Sequence, residues 1–203
     1  MFRSILAAAA ALTLITAPTA MAAPGVASKA VAEMPAGTYG IDMTHASLVA
    51  KVGHMGFSNY AMRFNKMDAR FTFDPANPTA AKVTATVDPA SVDTGSASFD
   101  EKLKGPTWLN TAKFPTISFA STALVMTGAN TGKMTGDLTF LGVTKPVTLD
   151  VTWNGVGAGM MPETRTGFSA TGAIKRTDFG FGTYVPVISD VVDLILEIEF
   201  TKK

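Results

Sequence analysis

From residue 37 to the C-terminus, apolar and polar side chains alternate with a two-residue rhythm, run after run. In "VTLDVTW", Val147, Leu149, Val151 and Trp153 point one way while Thr148, Asp150 and Thr152 point the other. "KMTGDLTF" sets Met134, Leu138 and Phe140 against Lys133, Thr135, Asp137 and Thr139. Ile117, Phe119 and Val125 mark one face of 116–126, and Val83, Ala85 and Val87 mark another near residue 85. Phe168, Ala170 and Ile174 repeat the pattern, and Val192 to Phe200 closes it. With 37–42, 46–54 and 60–73 the chain holds eight or nine strands. One-sided alternation belongs to antiparallel strands with one wet face. Along 60–73 the apolar parity moves from Met62 and Phe64 to Met67, Phe71 and Phe73, which requires a bulge or a bend.

One helical insertion interrupts the strands. "SFDEKLKGP" places Ser98 three residues before Glu101, a capping-box spacing, and stops at Gly105-Pro106. The fold expected is all-β, a single antiparallel barrel of about eight strands with a short helical insertion. Ring closure removes the sheet edges on which exported β-proteins aggregate. The chain has no cysteine, so disulfides, thiolate metal sites and a cysteine nucleophile are excluded. Stability must come from buried apolar surface.

The N-terminus reads as a targeting segment. Arg3 precedes an apolar run from Ile5 to Ala17, and Ala20-Met21-Ala22 fits a small-x-small cleavage site. The domain plan is therefore a signal peptide at 1–22, a flexible leader at 23–36 and a barrel at 37–203, with the mature protein expected in the periplasm. No later apolar run reaches the ~18 residues of a membrane span, so no integral membrane segment is expected after cleavage. Basic residues number 17 against 16 acidic, and loss of Arg3 would equalise them. A near-neutral chain lacks the concentrated positive field that nucleic-acid binding needs.

Both histidines lie in "HASLVAKVGHMGF". His45 and His54 are nine apart, an odd spacing that sends them to opposite faces of one strand. No H-x-H or HExxH pattern occurs, so a zinc site would need carboxylates such as Asp42. Asp42 three residues before His45 matches a triad's orienting acid and an ordinary Asx turn equally well. No nucleophile elbow or phosphate loop is present, and Arg176 with Asp178 in "KRTD" reads first as a local ion pair. Large inward side chains beside small ones (Ala85, Gly136, Ala170, Gly172) are compatible with either a filled core or an elongated slot, because an eight-stranded barrel is wide enough for both.

Several stretches resemble the YceI-like family of secreted, lipocalin-like proteins: "YGIDMTHASLVAKVGHMGFS", "FTFDP", "FDEKLKG…WLNTAKFPTISFAS", "GKMTGDLTFLGVTKPVTLDV" and "ATGAIKRTDFGFG". The resemblance carries over Asp42, His45 and His54, Asp100 and Leu103, the hairpin residues Gly136, Leu138, Gly142, Val143 and Thr144, and Arg176, Asp178, Phe179 and Gly180. Tyr39 stands where the family usually has Trp, Ala46 follows His45 in place of Ser, and Phe99 replaces Arg before Asp100; polar contacts made from the places of Ala46 and Phe99 are not expected here.

What the resemblance implies is a lipocalin-like barrel holding a long apolar chain, isoprenoid or fatty-acid-like, without catalysis or a cofactor. The expected lining is Phe64, Phe71, Phe119, Leu138, Phe140, Leu149, Trp153, Phe168, Ile174 and Leu194, with His54 and Arg176 as candidate polar contacts. The rival expectations are a hydrolytic or isomerase-like barrel using His45, His54 and Asp42, and a filled interaction module, including a homodimer.

Overall fold

The computed structural model describes residues 26–203; the expected signal peptide and the first leader residues lie outside them. The first strand, β1 (Gly37–His54), and the last, β10 (Ile188–Lys202), lie side by side and antiparallel, from Tyr39 opposite Lys202 to His54 opposite Ile188. Between them the chain forms β2 (Ser58–Phe64), β3 (Met67–Phe73), β4 (Lys82–Val87), β5 (Val92–Asp93), helix α1 (Ala97–Lys104) and β6 (Ile117–Met126). Three long strands follow, β7 (Thr131–Phe140), β8 (Val143–Ala158) and β9 (Thr164–Lys175). Around the sheet the order is β10-β9-β8-β7-β6-β4-β3-β1, and the β10–β1 ladder closes the ring. β3 pairs with Gly37–Gly40 of β1 and β2 with Val49–His54, so those two strands share one position. Eight strands thus surround the interior, as expected, with the short β5 flanking β2.

Irregularities in the ladders decide which side chains face in. The break between β2 and β3 is at Asn65-Lys66, whose N–H groups donate to the Ser91 carbonyl (3.1 Å) and the Ser91 hydroxyl (3.0 Å). This is the bend that the parity change required, and it puts both Phe64 and Phe71 inside. In β1, five steps from Ile41 to Ala46 match two along β10 from Phe200 to Ile198, so Asp42–His45 bulge outward. In β6 the register shifts between Ser121 and Ala123. That extra residue inverts the phase: Leu124 and Met126 turn inward and Val125 is left 62% exposed, so the inward placement expected for Val125 is incorrect.

Helix α1 starts earlier than the capping-box spacing implied. Ser96 is the N-cap, with extended backbone and no side-chain capping bond, and Ser98 lies inside the first turn. Asp100 does the anchoring instead, accepting from the Thr94 N–H (2.8 Å) and hydroxyl (2.6 Å), while Glu101 pairs with Lys104. Leu103 is buried against the barrel, followed by Leu109, so the insertion covers the end at which β1 terminates.

The other end is covered by residues 28–34 of the expected leader. Ser28 and Val156 exchange two backbone hydrogen bonds (2.8 and 2.9 Å), Val31–Glu33 makes a 3-10 turn, and Met34 is 2% exposed. Two apolar side chains in a small, polar stretch suffice to seat it, because the barrel end offers an unfilled apolar surface. Beneath Met34, Tyr39 stacks on Phe71 (4.7 Å, 9°), and the Phe71 ring meets Phe168 and Phe200 edge-on. The polar atoms here are matched. Tyr39 donates to the Pro35 carbonyl (2.6 Å), and the Trp153 indole N–H donates to Thr166, whose hydroxyl donates to the Gly155 carbonyl.

Candidate binding cavity

Between the aromatic layer at the leader end and α1 at the other, the barrel encloses a cavity of about 680 Å³. Its wall is built from the inward rows of the strands, which are apolar because the outward rows carry the polar residues. β1 contributes Leu48, Ala50 and Val52, and β10 contributes Val192, Leu194, Leu196, Ile198 and Phe200. Phe64, Phe71, Phe119, Leu138, Phe140, Leu149, Trp153, Phe168, Ile174 and Leu194 all border it, as do His54 and Arg176. Alternation alone did not supply the contributions of Met34, Leu103, Trp108, Leu109 and Phe181. For the helix the signal was available, since Phe99 and Leu103 stand one turn apart and share a face.

Two of the small residues do not open the slot they suggested. The place a Gly136 Cβ would occupy is taken by the Phe119 ring, and that of Gly172 is taken by the Leu149 side chain. Each glycine is a seat for a neighbour, and neither borders the cavity. Ala85 and Ala170 do border it.

The cavity reaches the surface at the α1 end, where Met55, Lys102, Trp108, Tyr184 and Val187 form a rim. Lys102 Nζ lies 5.6 Å from the centre of the Trp108 ring, and Trp108 packs on Tyr184 at 5.6 Å. A second approach lies where the β4–β6 pairing ends, beside Pro78, Ala81, Leu124 and Met126.

Arg176 is 3% exposed and does not pair with Asp178. Its Nε donates to the Ser189 carbonyl (2.9 Å), Nη1 to those of Phe181 (3.0 Å) and Thr183 (2.8 Å), and Nη2 to Ile188 (3.0 Å). The guanidinium also lies 5.0 Å from the Phe181 ring centre. Burial lowers its pKa, opposed by the charge of Asp190. The side chain therefore holds the 181–189 loop in shape at the rim, and the local ion pair read from "KRTD" is replaced by bonds to carbonyls that leave no mark in a sequence.

Asp42, His45 and His54 do not form one site. Asp42 and His45 are joined (Oδ2 to Nδ1, 2.9 Å) on the outer bulge of β1, while His54 borders the cavity at the strand's far end, on the order of 25 Å away at strand spacing. Asp42, His45 and Glu199 bring three donor atoms within 4.8 Å of one another. A permanent cation already occupies that cluster: Arg165 Nη1 donates to Asp42 (2.5 Å) and Glu199 (2.7 Å), and Nη2 to Glu163 (3.1 Å). The hydroxyl of Thr44, then Arg165 and His45, hold the Asp42 carboxyl well below the usual carboxylate range, and the carboxylates of Asp42, Glu199 and Glu163 raise Arg165. A metal ion would have to displace a guanidinium held by three carboxylates, so the cluster is a structural clasp joining β1, β9 and β10.

Comparison with known proteins agrees with this architecture. The YceI-like domain model matches residues 39–200. A UPF0312 protein of Ectopseudomonas mendocina is 40% identical over 166 residues, 81% of this chain and 87% of that one. The crystal structure of Burkholderia cenocepacia BcnA superposes with a TM-score of 0.71 at 27% identity, covering 78% of this chain and 98% of that one. A polyisoprenoid binding domain from Saccharophagus degradans shares the fold, with a TM-score of 0.59 at 14% identity over 81% of this chain and 98% of that one.

Proposed function

The chain belongs to the YceI-like domain family, and from that premise we propose that it is a periplasmic carrier that encloses the isoprenoid or related long tail of an amphiphilic lipid within the barrel. One observation carries the reading: a continuous cavity of about 680 Å³, apolar nearly throughout, in a ring with no free edge along its main seam. That volume lies within the range of small-molecule sites. Each 100 Å² of tail surface removed from water contributes about 2.5 kcal/mol, so binding needs no charged anchor. A lipid domain on this fold, the polyisoprenoid binding domain above, supports the choice of tail, and the signal-like N-terminus supports the compartment. The polar residues at the α1 end, His54 and Arg176 among them, suit a polar head held near the rim while the tail runs toward the aromatic layer.

The test is organic extraction and native mass spectrometry of protein purified from its own host. A co-purifying lipid with a long apolar tail is expected. Protein that carries no lipid, and takes up none from added polyprenols or quinones, overturns the reading.

A further inference from the structure

We propose that the rim around Phe57 docks on the surface of an anionic lipid bilayer. Phe57 is 84% exposed at the tip of the β1–β2 turn and borders no cavity, so neither core packing nor ligand contact accounts for it. Met55 and Gly56 both have positive φ (53° and 75°), which tightens the turn just before Phe57. Beside Phe57, Met55, Tyr184 and Val187 are each more than half exposed while also bordering the cavity. Two ties make the patch one surface: the Met55 N–H donates to the Val187 carbonyl (3.1 Å), and the Thr183 hydroxyl donates to the Thr107 carbonyl (2.9 Å).

Charge complementarity selects the occupant. Lys102 rests over Trp108, and Lys113 lies 5.1 Å from the centre of the Phe114 ring. Neither makes a salt bridge among the described residues. The charged side chains that border the cavity, Lys102 and Arg176, are both cationic; Glu101 is paired with Lys104, and the charges of Asp100, Asp178 and Asp190 lie off the rim. Exposed apolar tips, amphipathic Trp and Tyr, and free lysines together match the boundary between acyl chains and acidic headgroups. The place of docking is chosen by the cavity, because the same residues form its rim; that purpose rests on the carrier reading, whereas docking itself does not.

The experiment is flotation of the mature protein with vesicles of phosphatidylcholine containing phosphatidylglycerol, and with phosphatidylcholine alone. Binding to the anionic vesicles is expected, weakened about tenfold or more in Phe57→Asp, since one buried Phe side chain supports at least that factor. Val125→Asp, on an apolar residue exposed away from this rim, should float as the parent does. Lipid content by extraction should be unchanged in Phe57→Asp, which separates loss of docking from loss of the cavity's ligand. Equal flotation of parent and Phe57→Asp overturns the proposal. So does absence of flotation, whether the protein is monomeric or forms a dimer that Phe57→Asp dissolves; the dimer would assign the patch to a second copy.

Discussion

The ring of Phe119 lies over Gly136 from the neighbouring strand, in the space a side chain there would need. The Ala120 carbonyl oxygen crowds the same point. Gly136→Ala is therefore expected to cost about 1–3 kcal/mol, as overpacking does, read as a lower urea midpoint with unchanged slope. Measured against Phe119→Ala as the reference, the cost of adding Gly136→Ala should shrink but not vanish, because the carbonyl stays. Full stability in Gly136→Ala would show that both the Phe119 ring and the strand carrying Ala120 give way.

Ala85 tests the cavity itself. Ala85→Phe places a ring inside the wall and should weaken uptake of a fluorescent lipid probe about tenfold, with the far-ultraviolet circular dichroism of the parent retained. Undiminished uptake would mean that the guest does not pass this level of the barrel.

Arg176 is a loop-holding residue before it is anything else. Arg176→Met removes the guanidinium's bonds to the carbonyls of Phe181, Thr183, Ile188 and Ser189, and at about 1–3 kcal/mol per bond lost the protein should lose about 4 kcal/mol or more. Hydrogen exchange should locate the loosening in 181–189. Arg176→Lys should recover little, as a single ammonium cannot reach four carbonyls arranged for a planar fork.

The Asp42–Arg165 clasp gives a pH signature. The folded-state pKa of Asp42 is depressed, so its stabilisation is whole above about pH 4, where the unfolded carboxyl is ionised, and is lost as pH falls through the lower folded value. The difference in urea midpoint between the parent and Asp42→Asn should hold steady from about pH 7 to about pH 5 and close below about pH 4. A gap that widens in acid would contradict the clasp.

The ring and most of its inward rows were legible because a period of two survives in any regular strand: Val147 to Trp153 and Val192 to Phe200 face as their spacing implied. Phase was lost wherever one extra residue entered, as between Ser121 and Ala123, since an insertion leaves composition untouched and turns every later side chain over. Small residues misled for a different reason. Gly136 and Gly172 announce close approach, but only coordinates reveal that the approaching group is Phe119 or Leu149 and not a guest. The seat of residues 28–34 leaves little mark in the sequence, because only Val31 and Met34, among small and polar neighbours, make it.

Closure by the first and last strands also sets an order of events in folding. β1 cannot meet β10 until nearly the whole domain is present, so the decisive pairing has the greatest sequence separation the domain allows, the high-contact-order case that folds slowly. A chain ending before Ile188 would not be a slightly smaller barrel. It would leave β1 and β9 each with an open edge over most of its length, turning a closed vessel into a sticky ribbon.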